Sequence, residues 1–402
     1  MQRLGKMITQ LSHYRSRWEE LAKASGAIQA TFEREEALSR LTEVTGFGSN
    51  PGNLRILTYV PPGAAPSPAL VVVLHGCTQT AAGYDHGSGW STLADRYGFA
   101  LLFPEQQEAN NPKRCFNWFQ LGDIQRDRGE AHSIRQMIER MIRDHGIDRR
   151  RVFITGLSAG GAMTSTMLAA YPEVFAAGAI IAGLPYQCAT SVPEAFECMF
   201  QGQTRSAREW GDLVRSASPH RGPWPRVSVW HGSADATVKP MNAGEIIKQW
   251  TDVHGLPSSP NRHDMVDGYP RRVWSNPAGE DVIEEYVITG MAHGTPLAVG
   301  GENGYGVAGP FLLDAGISSS YHIAKFWGLT QKSHDAVREQ APSTHIRRDS
   351  EAAGLYRLSP PEPSREQASA SSAAEAKDHR QPSPLDVSSV IAKALRAAGL
   401  MK

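Results

Sequence analysis

No stretch of this 402-residue chain approaches the roughly 18 consecutive apolar residues that a membrane-crossing helix needs. An excess of charge of one sign is also missing. Lys plus Arg and Asp plus Glu both number 41, for a formal net charge of zero. Without surplus cations, nothing in the bulk charge draws the chain to nucleic acid or to an anionic lipid surface. Cysteine is scarce, and the four positions, Cys77, Cys115, Cys188 and Cys198, include no C-x-x-C pair, which argues against a zinc site. Two disulfides and four ordinary buried thiols both fit them. The N-terminal segment MQRLGKMITQLSHYRSRWEELAKASG has neither the apolar core nor the small-residue cleavage site of a secretory signal. It reads instead as an amphipathic helix, with Leu4, Met7, Ile8 and Leu11 at helical spacing.

What is present is the composition of a globular chain, 41% hydrophobic and 20% charged. Its organisation divides into four parts. Residues 1–40 form a polar helical extension, and 41–329 a single catalytic domain. Residues 330–384, rich in Ser, Ala, Pro, Glu and Arg, have too few large apolar side chains to bury a core and read as a disordered linker. Residues 385–402 place Val387, Val390, Ile391, Ala394, Leu395 and Ala398 on one helical face. Within the central part, the runs Ala69–Leu74, Phe99–Phe103, Val152–Thr155, Ala177–Ile181 and Val227–Trp230 lack polar alternation, as do strands buried on both faces. Val282–Ile288 ends the series. Amphipathic segments lie between them, most clearly Glu130–His145. Strands alternating with helices predict an α/β fold: a mostly parallel sheet flanked by helices, with function at the carboxyl ends of the strands.

The chemistry-bearing residues stand at those ends. After the strand RVFIT comes Gly156-Leu157-Ser158-Ala159-Gly160, a G-x-S-x-G turn leading into a helix. Such an elbow projects a nucleophilic hydroxyl from the sheet, and the helix N-terminus favours the negative charge that develops there. The bland alternative is a Gly-rich turn with a capping serine. A triad then needs an acid and a histidine in that chain order. Asp235 follows the strand VSVW and is the expected acid; Asp252 and Asp267 are rivals that follow no strand directly. Of the 14 histidines, His293 stands just after the last apolar strand and is the expected general base. The oxyanion-binding N–H groups are expected from Ala159 and from Cys77, in the loop after Ala69–Leu74, with His75 bracing that loop. Trp90, Trp118 and Phe119 are expected to line an acyl or polymer groove, although aromatic residues in such loops serve equally often as core.

The succession LHGCTQTAAGYDHGSGWSTLADRYGFALLFPEQ, RCFNWF, TGLSAGGAMT, WHGSAD and GMAHG resembles the poly(3-hydroxybutyrate) depolymerase family of esterases, neighbours of feruloyl and acetylxylan esterases, over roughly Leu41–Leu329. The resemblance implies an α/β-hydrolase fold with its triad on Ser158, Asp235 and His293 and an oxyanion amide on Cys77. It also implies a Cys77–Cys115 bridge and a second pair, Cys188 with Cys198. The implied activity is serine-dependent hydrolysis of short-chain polyhydroxyalkanoate or its oligomers, with no metal or other cofactor. Feruloyl- or acetylxylan-type esterase activity is the alternative, followed by a serine peptidase and a noncatalytic polymer-associated protein. Secreted members carry a signal peptide and a polymer-binding domain that this sequence does not show, so extracellular and cytoplasmic locations both stand. Members also often have Trp-Pro after the histidine, where this chain has Gly294-Thr295-Pro296. The partner expected is a polyester or small ester, with polymer-granule contact through the C-terminal helix.

Overall fold

In chain order the strands are β1 (Thr42–Val44), β2 (Arg55–Tyr59), β3 (Leu70–Leu74), β4 (Ala100–Glu105), β5 (Val152–Leu157), β6 (Ala177–Ile181), β7 (Arg226–Gly232), β8 (Arg262–Val266), β9 (Tyr269–Ser275), β10 (Asp281–Ile288), β11 (Thr295–Leu297) and β12 (Leu312–Asp314). The computed structural model describes residues 39–331, Asn303 excepted. Apart from their boundary residues, the expected N-terminal extension and linker lie outside those residues, as does the whole of the expected C-terminal helix.

The first ten strands form one sheet in the order β1-β2-β4-β3-β5-β6-β7-β10-β9-β8. The six central strands, β4 through β10 in that order, run parallel. They are the six apolar runs of the sequence. Their alternate side chains feed two separate cores, as the period-2 pleat requires. On β3, Leu70, Val72 and Leu74 pack with Ile134, Met137 and Met141 of the helix Gly129–His145, and with Met163 and Met167 of the helix Ala159–Ala170. Val71 and Val73 face the opposite way, toward Trp90 and Leu93 of the helix Trp90–Tyr97 and Ile323 of the helix Ser319–Phe326. Each such side chain contributes about 1.5–3 kcal/mol by leaving water.

The antiparallel edges, β1 and β2 on one side and β9 and β8 on the other, are absent from the sequence reading. β8 and β9 carry Arg262, Asp264, Arg271 and Arg272, so no apolar run marks them. Those arginines have a use. Arg271 Nη2 lies 2.7 Å from Glu284 Oε2, and Arg272 pairs with Glu285, neutralising two carboxylates buried on β10. Trp90 also corrects an expectation. It is only 1% exposed and stacks on Trp327 (6.0 Å between centroids), with Phe99 edge-on at 6.2 Å. It belongs to the core rather than to a substrate groove, because the helix it opens turns that face onto the sheet.

The chain visits β3 and β4, then returns past β3 to lay β5 on its other side. The loops leaving the carboxyl ends of β3 and β5 therefore diverge across a topological switch point, where a doubly wound sheet opens its crevice.

Candidate active site

Ser158 leaves β5 with φ 58° and ψ −116°, a strained backbone for a residue bearing a Cβ. The turn is held by Ser158 N–H donating to Ile181 O (2.9 Å) and Ala162 N–H donating to Ser158 O (2.9 Å). Its glycines are there for space. A Cβ on Gly156 would stand 2.4 Å from Gly160 O, and one on Gly160 would stand 2.5 Å from both Leu74 O and His75 O. The helix Ala159–Ala170 can thus start directly against the end of β3.

Asp235 lies in the loop after β7 and His293 in the loop after β10. The two loops are tied together by Ser233 N–H donating to Ile288 O (3.0 Å) and Ala234 N–H donating to Met291 O (3.0 Å). Asp235 Oδ1 accepts from the N–H groups of Thr237 and Val238, both at 2.8 Å. Its Oδ2 is 2.7 Å from His293 Nδ1, and His293 Nε2 is 2.9 Å from Ser158 Oγ. A carboxylate only accepts, so Nδ1 carries the proton and Nε2 is left to receive the hydroxyl hydrogen. Burial works against charge on Asp235, but hydrogen bonds from His231 and His293 outweigh it and hold the carboxyl well below the usual range. The three expected side chains are therefore brought into one hydrogen-bonded line, each less than a tenth exposed. The rivals lie elsewhere. Asp252 sits on the helix Met241–Val253 and pairs with Arg215 at 2.6 Å, while Asp267, at the β8–β9 turn, bonds His322 at 2.8 Å.

On the opposite wall stands the loop after β3. His75 Nδ1–H donates to Gly76 O (2.7 Å), and its Nε2 accepts from Gln106 N–H (3.1 Å), so it braces the loop internally. Burial depresses its pKa, which suits the accepting nitrogen. Gly76 N–H is taken by Gln79 Oε1 (2.8 Å) and Thr78 N–H by Lys113 O (2.7 Å). None of these turn bonds uses the N–H of Cys77, and the Ala159 N–H opens its helix.

A disulfide joins Cys77 to Cys115. The second expected pair is not formed: Cys188 and Cys198 are buried free thiols. The Cys198 thiol, on the helix Val192–Phe200, donates to Cys188 O at 2.9 Å. Both sulfurs thus pack as small apolar groups beside Ala195 and Trp210. Trp118 and Phe119 meet edge-to-face at 5.4 Å, in the same cluster as Ala159, Cys77 and Cys115. Unlike Trp90, they stand next to the nucleophile's helix. Among the described residues, no cluster of His, Cys, Asp and Glu is arranged to hold a metal ion.

Three neighbours escaped the sequence reading. Gln79 secures the oxyanion loop, and Phe311 presents its ring edge-on to His293 with centroids 5.9 Å apart. His231, in the WHGSAD stretch, lies 3.2 Å from Asp235. A polar residue directly after a strand was the available signal for His231; nothing in the local pattern marks Phe311.

Comparison with known proteins finds esterases among the relatives. A family described as Esterase PHB depolymerase matches residues 54–262. Poly(3-hydroxyalkanoate) depolymerase C of Paucimonas lemoignei is 50% identical over 291 residues, covering 72% of this chain and 70% of that protein. An acetylxylan esterase of Coprinopsis cinerea is 33% identical, over 64% of this chain and 70% of its own length. Among solved structures, an acetyl xylan esterase from Aspergillus awamori superposes with a TM-score of 0.61 at 26% identity, covering 72% of this chain and 99% of that one.

Proposed function

Because the chain belongs to the PHB depolymerase family of esterases and has the α/β-hydrolase fold, we propose that it hydrolyses short-chain polyhydroxyalkanoate, poly(3-hydroxybutyrate) or its oligomers, through an acyl-enzyme on Ser158. The protein is a carboxylic ester hydrolase, and residues 41–329 are the part to which we assign catalysis. The observation that carries the residue roles is the line Asp235–His293–Ser158, at 2.7 and 2.9 Å. In this reading His293 takes the Ser158 proton as the hydroxyl attacks the ester carbonyl. The Cys77 and Ala159 N–H groups hold the oxyanion. Asp235 fixes the imidazole and stabilises its charged form. The alcohol leaves with a proton from His293, and water, deprotonated by the same imidazole, releases the hydroxy acid. Trp118 and Phe119 supply an apolar wall for the acyl chain.

Ser158→Ala tests the assignment on a p-nitrophenyl ester: activity falls to background while the melting profile is kept. Retained activity would remove Ser158 from the mechanism. The polymer reading is supported by the relative at 50% identity. The acetylxylan and feruloyl reading is supported by relatives at 32–35% identity. Clearing of amorphous polymer, against release of acetate or ferulate from xylan, separates them. Contact with a polymer surface through residues 385–402 is supported by the apolar face of that sequence alone, and truncation after Leu329 tests it by loss of granule binding.

A further inference from the structure

We propose that His231 is a positioning residue for the triad, a second imidazole held against the acid that pins the acid's turn and sets how strongly Asp235 acts on His293. The proposal rests on the triad assignment above. His231 is buried, near the end of β7, four residues before Asp235. Its Nε2 lies 2.8 Å from Val238 O and 3.2 Å from Asp235 Oδ2. A carbonyl oxygen only accepts, so Nε2 carries the proton and Nδ1 does not need one. Nδ1 is buried and has no hydrogen-bond partner among the described residues. The ring is thus engaged at one edge alone, where its N–H donates to the backbone of the acid's own turn and stands 3.2 Å from the acid.

This arrangement sets two imidazole nitrogens against Oδ2: His293 Nδ1, which donates to it at 2.7 Å, and His231 Nε2, which stands 3.2 Å away. Oδ1 takes two amide N–H groups from the same turn. Both imidazoles stabilise the charge on Asp235, and both face the same oxygen. The shorter bond goes to His293. His231 therefore withdraws part of the negative charge that would otherwise stabilise the His293 imidazolium. It also pins the turn, because Val238 donates its N–H to Oδ1 and accepts His231 Nε2–H through its carbonyl.

The other ionisable groups near this cluster are accounted for. Glu285 on β10 acts electrostatically on His231 and is itself paired with Arg272 on β9. His293 faces Ser158 and the Phe311 ring.

His231 touches no reacting atom, so its loss acts through the rate and the pH profile rather than through substrate affinity. His231→Leu fills the space and removes the donor; His231→Gln restores an N–H near the Nε2 position. In His231→Leu the turn that carries Asp235 is no longer pinned and the imidazole of His293 is misplaced, so kcat falls roughly 10- to 100-fold with KM unchanged. The acidic limb of kcat/KM moves to higher pH by roughly half to one unit, because Asp235 then stabilises the imidazolium more strongly. His231→Gln recovers most of the rate and returns the limb to its parental position. If His231→Leu melts below the assay temperature, His231→Asn takes its place, since its shorter amide does not reach Oδ2. A folded Leu or Asn variant with parental kcat and an unmoved acidic limb overturns the proposal. So does a Gln variant no better than Leu. Ser158→Ala run alongside keeps the two claims apart. If Ser158→Ala is inactive and His231→Leu is parental, only the role of His231 fails. If Ser158→Ala stays active, the triad reading itself fails.

Discussion

Gly160→Ala tests whether the nucleophile and the oxyanion loop are held in register by contact between backbones. The added methyl would stand 2.5 Å from two carbonyl oxygens, Leu74 O and His75 O, whereas ordinary contact begins at 3.4 Å. Neither oxygen is on a flexible side chain, so the start of the helix Ala159–Ala170 must retreat from the end of β3 by about 1 Å. That displacement falls on Ser158 Oγ and on the Ala159 N–H, next in the chain. A misplacement of about 1 Å costs about 10²-fold in rate, and loss of one oxyanion donor costs about 10²–10³-fold. The expected result is therefore a fall in kcat of about 10²–10³-fold, with a stability loss of about 1–3 kcal/mol from overpacking. The assay is steady-state hydrolysis of a p-nitrophenyl ester beside a circular-dichroism melt. Gly244→Ala is the control: it lies within the helix Met241–Val253, and a Cβ there meets nothing within 4 Å. It should leave kcat unchanged and raise stability by about 0.5–1 kcal/mol. A folded Gly160→Ala enzyme with parental kcat would refute the reasoning.

Replacing both Cys77 and Cys115 by Ala opens a loop spanning 38 residues, which on chain entropy alone costs about 4 kcal/mol of unfolding free energy in a denaturant titration. Burial holds His254 at a pKa of about 4, with Nε2 donating to Pro225 O at 3.1 Å. The folded state then binds fewer protons than the unfolded chain between the ordinary imidazole value of 6.5 and about 4, so stability falls as pH drops through that window. At most about 3 kcal/mol of this loss belongs to His254, and His254→Gln should remove that share from urea midpoints measured at pH 4 and pH 7. Trp90→Ala empties a stacked core position and should cost about 3–5 kcal/mol while leaving the KM of the folded enzyme unchanged; an altered KM would return Trp90 to the groove.

The parallel strands were legible because burial on both faces strips them of polar alternation, and β3, LVVVL, is the plainest case. The edge strands were not, because one face meets water or carries ion pairs: β8 reads RHDMV, with nothing in its pattern to separate it from a loop. The line from Ser158 to His293 was legible for a different reason. Each residue stands just past a recognisable strand, and the carboxyl ends of parallel strands share one edge of the sheet. Asp235 was chosen over Asp252 on that ground, and the hydrogen bond to His293 agrees with the choice. Trp90 and Trp118 could not be separated in the sequence, since both follow glycine-rich or polar stretches; Trp90 opens a helix that turns it into the core, whereas Trp118 lies in a turn beside the nucleophile's helix. The two cysteine pairs could not be separated either. Whether sulfurs meet depends on side-chain direction, and Cys198 spends its thiol on the Cys188 carbonyl instead.

Side chains chemically define the site, but its precision comes from places where no side chain fits. Gly160 lets the nucleophile's helix rest on the carbonyls at the end of β3. Gly232, at the end of β7, does the same for the other half: a Cβ there would stand 2.3 Å from Met291 O. The acid loop is thereby pressed onto the histidine loop, and the bonds from Ser233 and Ala234 lock it there. Two such contacts group the four loops into two pairs, Ser158 with the oxyanion loop and Asp235 with His293. Among the described residues, the side-chain hydrogen bond that joins the pairs runs from His293 Nε2 to Ser158 Oγ, and in the proposed reaction it is the bond broken and remade. A frame of this kind keeps each half fixed while leaving its one mobile proton on the seam. A substitution at Gly232 should therefore weaken the acid–histidine pairing without disturbing the oxyanion donors, the reverse of the damage expected at Gly160.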